Sequence, residues 1–442
     1  MRGMNGKMIR RIRDKWLQII LTIAVLISLV LSWFIWTNPA RYEHSRESDS
    51  SGQSQLTSKS ISDIFLPTQV IKTKQNGTQY LLHAKKNNII LSLKQKLGKW
   101  ELGSERKVTI ENKKQYQKYL MKKNSIALNY PDQVSTSVFN DTFGQSINKR
   151  RVKQFNRIII PLQHPNYIYL LSDQSTSVYR VHVTKRPQLN EIKKLVNSKK
   201  DQYRVKEQLI NNQFMLTYPK SISMPTYSYL MNKQSANSFM TTLLNSVSSS
   251  SVSVHKKNHM TTYTDGSNKR MVVNTKSGAV SYENFTDTTK NIGSINSLLT
   301  KSFQQLSSIG VPLENIRYDY SSTDKNEVVY RGYVESFPIF NQTDYGTVQI
   351  KYLNNGEQKN FFSLYSLQVP VPNGTKQVSV PSTKDALANL EQAGVKTAKI
   401  KNMRLAYEWQ TNKDSSMVID LKPTYYVYYQ GKWQNYTTLI DQ

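Results

Sequence analysis

The chain has 442 residues, with 60 lysines and arginines against 30 acidic residues, and it contains no cysteine. The length allows two or three domains that each bury a core. The absence of cysteine excludes disulfide bonds, thiolate catalysis and cysteine-bound metals.

The positive charge is concentrated in residues 61–290, where 36 basic side chains face 13 acidic ones. A basic surface of this kind attracts anionic polymers or lipid headgroups, but no nucleic-acid-binding motif accompanies it. Two basic clusters, residues 148–157 and 193–206, are interpreted as solvated faces. Binding of anionic wall polymers is the alternative interpretation, and we expect no nucleic-acid partner.

Residues 17–36 form a run of twenty residues without a charged side chain. A helix of this length rises about 1.5 Å per residue and crosses a hydrocarbon core of roughly 30 Å. Six basic side chains precede the run and favour a cytoplasmic amino terminus. The nearest signal-cleavage candidate, Asn38-Pro39-Ala40, fits the small-residue rule poorly. We therefore predict a cytoplasmic tail at 1–15, an uncleaved transmembrane helix at 16–37 in the cell membrane, and an extracytoplasmic remainder.

Three small side chains, Ala24, Ser28 and Ser32, are spaced four residues apart within this run. A helix places residues at this spacing on one stripe. Small residues allow two transmembrane helices to approach closely. The stripe is therefore our predicted partner-binding face, and a plain tether without such a face is the alternative.

The remainder of the chain divides by composition and periodicity. Residues 38–60 are rich in serine and charge, which predicts a flexible stalk. Residues 61–206 alternate short apolar runs with a helical segment near 113–122, which predicts an α+β domain; the run NIILSL at 88–93 is interpreted as a strand. Residues 207–290 predict a middle α+β domain, in which a helix at 235–247 precedes a small antiparallel sheet.

Residues 291–442 predict a C-terminal α+β domain with a weak internal repeat. One helix starts at Ile295 and ends before Gly310, and another starts at Ser382 and ends before Gly394. Each glycine stands where a left-handed helix end requires it, and strands follow each helix. The predicted fold class is therefore α+β. It combines a single N-terminal transmembrane helix with three extracytoplasmic domains of antiparallel sheets and packed helices, the last carrying a repeated helix-then-strands unit.

The sequence contains no Gly-x-Ser-x-Gly elbow, His-Glu-x-x-His helix, phosphate-binding glycine loop or dinucleotide fingerprint, and its acidic residues are few and scattered. His255 and His259 have the spacing of metal ligands, but they lie in a strand-and-turn region and are interpreted as exposed histidines. Tyrosines cluster in residues 424–436; we interpret them as one face of a sheet that packs on a helix, with glycan stacking as the alternative. The sequence therefore predicts no enzyme, no catalytic residue, no metal and no cofactor.

Four segments stand out in a fixed order: LTIAVLISLVLSWFIWT at 21–37, SDIFLPTQVI at 62–71, YRGYVESFPIFN at 330–341 and LKPTYYVYYQGKW at 421–433. Together they resemble the YycH (WalH) family, and the resemblance covers nearly the whole chain. Members of this family accompany the YycF–YycG (WalR–WalK) two-component system of low-GC Gram-positive bacteria.

The resemblance implies a membrane protein with one span, three extracytoplasmic domains and no enzymatic activity. It also implies association with the sensor histidine kinase YycG (WalK) and with YycI (WalI), and adjustment of kinase signalling largely through transmembrane helices. Signalling by this system controls cell-wall metabolism. The family does not assign the stripe of Ala24, Ser28 and Ser32, which comes from spacing alone. A basic surface protein that binds wall polymer is the alternative function.

Overall fold

The structure is a computed structural model that describes residues 59–83, 88–163, 165–197, 202–244, 252–266, 268–286, 292–340, 347–353, 355–372 and 376–441. Residues 21, 25, 26 and 28 are also described, and all four are helical. Most of the predicted transmembrane helix and most of the predicted stalk lie outside the described residues.

A nine-stranded antiparallel sheet forms the first part of the described chain. Its strands follow the spatial order β3-β7-β6-β5-β4-β1-β2-β8-β9. They are β1 (Gln69–Thr73), β2 (Gln79–Leu82), β3 (Glu101–Val108), β4 (Ser125–Ser135), β5 (Gln154–Pro161), β6 (Tyr167–Ser172), β7 (Ser177–Lys185), β8 (Gln202–Ile210) and β9 (Gln213–Thr217). Strand β8 continues across the predicted domain boundary at residue 206. The sheet extends to residue 217, where its last strand in the chain, β9, ends.

Five helices accompany this sheet in the described residues: α1 (Ile61–Ile64), α2 (Ile89–Leu97), α3 (Lys113–Leu120), α4 (Thr136–Phe143) and α5 (Leu189–Asn197). The predicted helix near 113–122 is confirmed by α3. The strand predicted at 88–93 is wrong, because α2 occupies it. Asn88 caps this helix, its side-chain oxygen accepting from the N–H groups of Ile90 and Leu91 at 3.1 and 3.2 Å. The buried residues of α2 recur at helical spacing: Ile89, Ile90, Leu93 and Leu97.

A fourteen-stranded sheet forms the second part. Its main path is β12-β13-β14-β15-β20-β19-β17-β18-β23-β24-β11-β21, with β16 paired to β17 and β25 to β24. Only the β18–β23 pair is parallel among the described pairs. The strands are β11 (Tyr227–Lys233), β12 (Ser253–Lys257), β13 (Met260–Asp265), β14 (Lys269–Asn274), β15 (Ala279–Asn284), β16 (Ile316–Ser322), β17 (Glu327–Val334), β18 (Phe337–Phe340), β19 (Val348–Tyr352), β20 (Gln358–Ser363), β21 (Tyr365–Val371), β23 (Asn402–Thr411), β24 (Val418–Tyr429) and β25 (Lys432–Asn435). Strands β10 (Ile222–Pro225) and β22 (Gln377–Val380) pair separately.

The helices of the second part are α6 (Ala236–Leu244), α7 (Ile295–Ile309), α8 (Thr383–Gln392) and α9 (Tyr436–Ile440), with a 3-10 turn at Thr397–Lys399. The two predicted helix ends are confirmed: Gly310 and Gly394 have φ angles of +86° and +82°. Strands follow both helices, as the repeat predicted. The strands of the two repeat copies meet in one sheet through the β18–β23 pair. The α+β fold class is thus confirmed for the described residues.

The nine-stranded sheet has a hydrophobic core on each face, because successive side chains of a strand point to opposite faces. On β4, Ile126 and Leu128 belong to one core and Ala127 belongs to the other. The first core also contains buried side chains of α6 and α7, and the second contains those of β11, β23 and β24. The second part of the chain therefore covers both faces of the first sheet.

Phe65 joins the two parts at the point where the described chain begins. Its side chain is fully buried in the first core. Its ring centroid lies 6.4 Å from that of Phe303 on α7, 5.1 Å from that of Tyr318 on β16 and 6.1 Å from that of Tyr330 on β17. A residue of the resembling segment 62–71 therefore packs against three aromatic rings from more than two hundred residues further along the chain.

A buried charge network joins the two repeat copies. Asp319 on β16 accepts hydrogen bonds from Arg331 Nε at 2.9 Å, Tyr333 Oη at 2.8 Å and Arg404 Nη1 at 2.6 Å. Burial by itself raises the pKa of Asp319, but the guanidinium groups of Arg404 and Arg331 hold that pKa well below its ordinary value. The charged carboxylate is therefore the stable form. Two residues of the resembling segment 330–341, Arg331 and Tyr333, belong to this network.

We predict that Phe65→Ala lowers the free energy of unfolding by about 3–5 kcal/mol, because it leaves a cavity among packed aromatic rings. Urea unfolding followed by tryptophan fluorescence measures the change. Phe285→Ala is the control, since Phe285 is 44% exposed and a surface truncation of this kind costs less than about 1 kcal/mol. Equal losses in the two variants would show that Phe65 does not join the two parts.

A candidate polar cleft between the two sheets

A cleft of about 480 Å³ lies between the nine-stranded and fourteen-stranded sheets. One wall consists of residues on β4, β5, β8 and β9. The opposite wall includes Met403, Arg404 and Leu405 on β23 and Tyr333 on β17. The cleft exists because the two sheets meet through polar side chains here, whereas elsewhere the two parts share apolar cores.

Arg157 on β5 organises the first wall. Its Nε lies 2.8 Å from Asp173 Oδ2, and its Nη1 donates to Glu207 Oε1. The hydroxyl of Tyr116 on α3 donates to Asp173 Oδ1 at 2.6 Å. Burial by itself lowers the pKa of Arg157, but Asp173 and Glu207 raise it above its ordinary value. The guanidinium therefore stays charged and fixes both carboxylates.

Three amide side chains extend this network. Asn129 Nδ2 donates to Glu207 Oε1 at 3.2 Å, and Gln133 Nε2 donates to Asn156 Oδ1 at 3.1 Å. Asn156 Nδ2 in turn donates to Asp173 Oδ2 at 3.0 Å. Within the part of the chain that the structure describes, four buried polar atoms of the wall have no hydrogen-bond partner: Asn129 Oδ1, Tyr130 Oη, Gln133 Oε1 and Glu207 Oε2.

Asp132 lies in the irregular stretch of β4 where the register with β5 shifts between residues 129 and 134. Its carboxylate accepts from the backbone N–H of Gln133 at 2.8 Å and of Ser321 on β16 at 3.0 Å. Burial raises the pKa of Asp132 to about 6, although both hydrogen bonds and the charge of Arg404 act to lower it. Asp132 therefore links the two sheets through a carboxylate that is costly to ionise.

Charges of both signs line the cleft in equal number. Asp132, Asp173 and Glu207 are the acidic lining residues, and Lys113, Arg157 and Arg404 are the basic ones. Arg404 also stacks on Trp433, its guanidinium carbon lying 4.6 Å from the ring centroid. The walls are therefore polar and close to neutral as a whole, unlike the strongly basic composition of residues 61–290.

The residues that the sequence singled out lie elsewhere. Ser28 is helical and exposed, whereas Ala24 and Ser32 lie outside the described residues, so the stripe stays a prediction. His255 lies on β12 and His259 in the turn after it, and both are exposed, as expected. In the described part of the chain, no three potential ligands cluster to hold a metal ion. No described helix combines the length and apolar character needed to span a membrane.

The predictions for the tyrosine cluster and for the basic cluster at 148–157 are confirmed only in part. Tyr425 on β24 is buried and lies 6.2 Å from Tyr436 of α9, which confirms that the sheet packs on a helix. The tyrosines do not form one face, because Tyr426 belongs to a separate buried cluster. The basic cluster at 148–157 is exposed from Lys149 to Arg151, but Arg157 is buried. The interpretation of a solvated face is therefore wrong for Arg157.

Sequence reasoning missed Arg157 although a signal was present. Arg157 precedes three isoleucines in RIII, and in a strand it shares a face with Ile159, which is fully buried. A charged residue on a buried face requires an opposite charge. Its partners, Asp173 and Glu207, are 16 and 50 residues further along the chain. No local pattern identifies such distant partners.

We predict that Asp132 makes the fold less stable as pH rises. A folded-state pKa of about 6 lies above the ordinary aspartate pKa of 3.8. Its contribution to stability is therefore complete below about pH 4 and is lost as pH rises through about 6. Two pKa units correspond to at most about 3 kcal/mol. Urea unfolding measures the free energy of unfolding of the wild type and of Asp132→Asn. From pH 4 to pH 7, this free energy should fall more in the wild type than in the variant.

The control for this experiment is Asp141→Asn, because Asp141 is an exposed carboxylate on α4. This control separates the loss of a surface charge from the titration of a buried group. The prediction is contradicted if the difference in free energy of unfolding between the wild type and Asp132→Asn stays constant across this pH range.

Comparison with known proteins gives two family matches and solved structures with a similar fold. The description "YycH protein, N-terminal domain" matches residues 15–201, and "YycH protein, C-terminal domain" matches residues 211–442. The crystal structure of YycH from Bacillus subtilis superposes with a TM-score of 0.68 at 17% identity, covering 86% of this chain and 98% of that chain. No curated protein matches the sequence.

A second solved structure, an uncharacterized protein from Eubacterium rectale, has a TM-score of 0.30 at 11% identity and covers 48% of this chain and 82% of its own. That similarity is too low to support a conclusion. The family matches extend over most of the sequence and follow one another in the order of the four resembling segments. The chain therefore belongs to the YycH family, and membership of that family implies a regulator of the YycG system.

Proposed function

We propose that the chain is a non-catalytic, membrane-anchored regulator of the sensor histidine kinase YycG (WalK) and acts together with YycI (WalI). The observation that carries the proposal is the match of both YycH domain models, over residues 15–201 and 211–442. In this proposal the amino terminus is cytoplasmic, the bulk of the chain lies outside the cell membrane, and the output is control of cell-wall metabolism. The basic residues before residue 17 support this orientation.

The proposed output surface is the apolar run at 17–36. A regulator biases a kinase only when its contacts with the two signalling states differ in free energy. Within a bilayer, close packing of small side chains supplies such contacts because lipid tails are as apolar as leucine. The stripe of Ala24, Ser28 and Ser32 meets this requirement, and its role in contacting the kinase is part of the proposal.

The end of the predicted stalk and the residues that follow it support a mechanical role for the extracytoplasmic part. Lys59 Nζ donates to the backbone oxygen of Glu314, and Phe65 packs against Tyr318 and Tyr330. The chain is therefore fixed to the second part only a few residues after residue 58. A rearrangement between the two parts would displace this attachment point and so alter how the membrane segment is presented.

We predict that replacing Ala24, Ser28 and Ser32 together with leucine reduces association with the kinase by about tenfold, the usual size of such coupling. Leucine keeps the segment apolar, so insertion is retained while close approach is blocked. A bacterial two-hybrid assay with full-length kinase measures association, and membrane fractionation measures insertion.

The matched control changes polar residues of the same helix that lie off the stripe, in the double variant Gln18→Leu and Thr22→Leu. It should retain the wild-type two-hybrid signal. If the stripe variant and the control give the same signal, the stripe is not the contact face. If release of the chain from the membrane leaves kinase control intact, the proposed role of the anchor fails.

A second candidate function, binding of anionic wall polymers, is supported by one exposed basic cluster. Lys149, Arg150, Arg151 and Lys153 are exposed around the turn before β5. We predict that the detergent-solubilised chain cosediments with purified wall at low salt and is released near 1 M salt, where the screening length is about 3 Å. Reversing these four charges to glutamate should abolish cosedimentation. Absence of binding at low salt would exclude this function.

A further inference from the structure

We propose that the cleft between the two sheets binds a neutral, hydroxyl-rich small molecule of the saccharide class. The inference goes beyond kinase regulation and does not depend on it. It starts from the four polar atoms of the wall that have no partner in the described chain: Asn129 Oδ1, Tyr130 Oη, Gln133 Oε1 and Glu207 Oε2. These four residues are 5%, 4%, 5% and 1% exposed. Buried acceptors without a donor are costly, so a ligand that brings donors is favoured.

The surrounding network fixes which atom of each amide is the acceptor. Asn129 places its nitrogen against the carboxylate of Glu207, so its oxygen is the atom left unpaired. Asn156 Oδ1 accepts from the backbone N–H of Asp173, and its nitrogen faces the Asp173 carboxylate, so Gln133 must donate to it through nitrogen. Three of the unpaired atoms are therefore oxygens that require hydroxyl or N–H donors, and the fourth, the Tyr130 hydroxyl, can donate or accept.

The charge of the lining selects a neutral ligand over a charged one. Arg157 is held by Asp173 and Glu207, and Arg404 is held by Asp319. Lys113, on the exposed rim, donates to the side chain of Asn212 at 2.6 Å. The six charged lining residues balance in sign. The lining therefore offers no net charge to compensate an ammonium or a phosphate for the hydration that it would lose.

An apolar surface lies beside these acceptors. Phe214 on β9 is partly buried, and its ring centroid lies 4.9 Å from that of Tyr116, which holds it in place. Met215 and Leu405 also line the cleft. The C–H face of a pyranose ring is apolar while its rim carries hydroxyls, so a sugar matches an aromatic plate next to acceptors. A volume of about 480 Å³ lies within the range of small-molecule sites, roughly 300–1,000 Å³.

The test is ligand-observed NMR, by saturation transfer, on the full chain in detergent micelles. The probes are cellobiose and N,N′-diacetylchitobiose as neutral disaccharides, with glucosamine as a cationic probe and glucose 6-phosphate as an anionic one. We expect saturation transfer to at least one neutral disaccharide, with a dissociation constant of ~1 mM or below, and weaker or no transfer to the charged probes. Preference for a charged probe would overturn the neutral assignment. Absence of transfer to every probe would overturn the site.

Two variants locate the binding. Gln133→Met removes the unpaired oxygen and nearly conserves volume, while the backbone oxygen of Gln133 still accepts from Tyr318. Phe214→Leu removes the aromatic plate. We expect each to weaken binding about three- to tenfold, the size of one lost contact. The matched control is Gln349→Met on β19, a partly buried glutamine that bonds Glu327 and lies away from the cleft lining.

Circular dichroism and thermal unfolding check that each variant is folded. Wild-type affinity in both folded cleft variants would overturn the proposal, as would equal weakening in Gln349→Met. If one cleft variant does not fold, the other decides the result. The kinase two-hybrid signal is recorded separately, so loss of saccharide binding with intact association distinguishes this site from the regulatory function.

Discussion

The packing of Phe65 is the constraint on which the arrangement of this molecule depends. Its ring lies in one core with three aromatic rings of the second part, the nearest being Tyr318 at 5.1 Å. Ile64 and Leu66 lie in the same core, and Lys59 donates to the backbone oxygen of Glu314. Together with Phe65 they fix residues 59–66 to both parts of the described chain. The relative position of the two sheets, and hence the cleft, follows from how this core closes.

Much of the regular structure was predictable because its signals are local. The helix at Lys113–Leu120, the helix ends at Gly310 and Gly394, and the tyrosine-rich strand β24 all follow from periodicity and end residues. The run NIILSL failed for a physical reason: a short apolar run satisfies a buried strand and a buried helix equally. The side-chain oxygen of Asn88 caps and so favours the helix. These hydrogen bonds form only when the residues after Asn88 adopt the helical turn.

The pairing of strands and the cleft were not predictable in the same way. The strands of residues 253–284 join β20 rather than forming a separate sheet, and β11 joins β24 almost two hundred residues away. The cleft depends on contacts of the same kind, such as Asn129 with Glu207 and Asp132 with Ser321. A single sequence shows that Arg157 is charged, but it does not show which acidic residues lie next to Arg157 in the fold. The neutral lining of the cleft therefore differs from the basic composition of the segment that builds most of it.

The cleft and the attachment point of the stalk are joined by direct contacts. The hydroxyl of Tyr318 donates to the backbone oxygen of Gln133 at 2.7 Å, and the ring of Tyr318 packs on Phe65. Contiguity of this kind does not by itself create coupling, because a ligand shifts an equilibrium only by its difference in affinity for two arrangements. A molecule that bonds Gln133 on one sheet and packs against Leu405 on the other has such a difference, since it binds fully only when the sheets stand at one separation. Occupation of the cleft would therefore favour that separation, and through Tyr318 and Phe65 it would favour one position of the chain around residue 59.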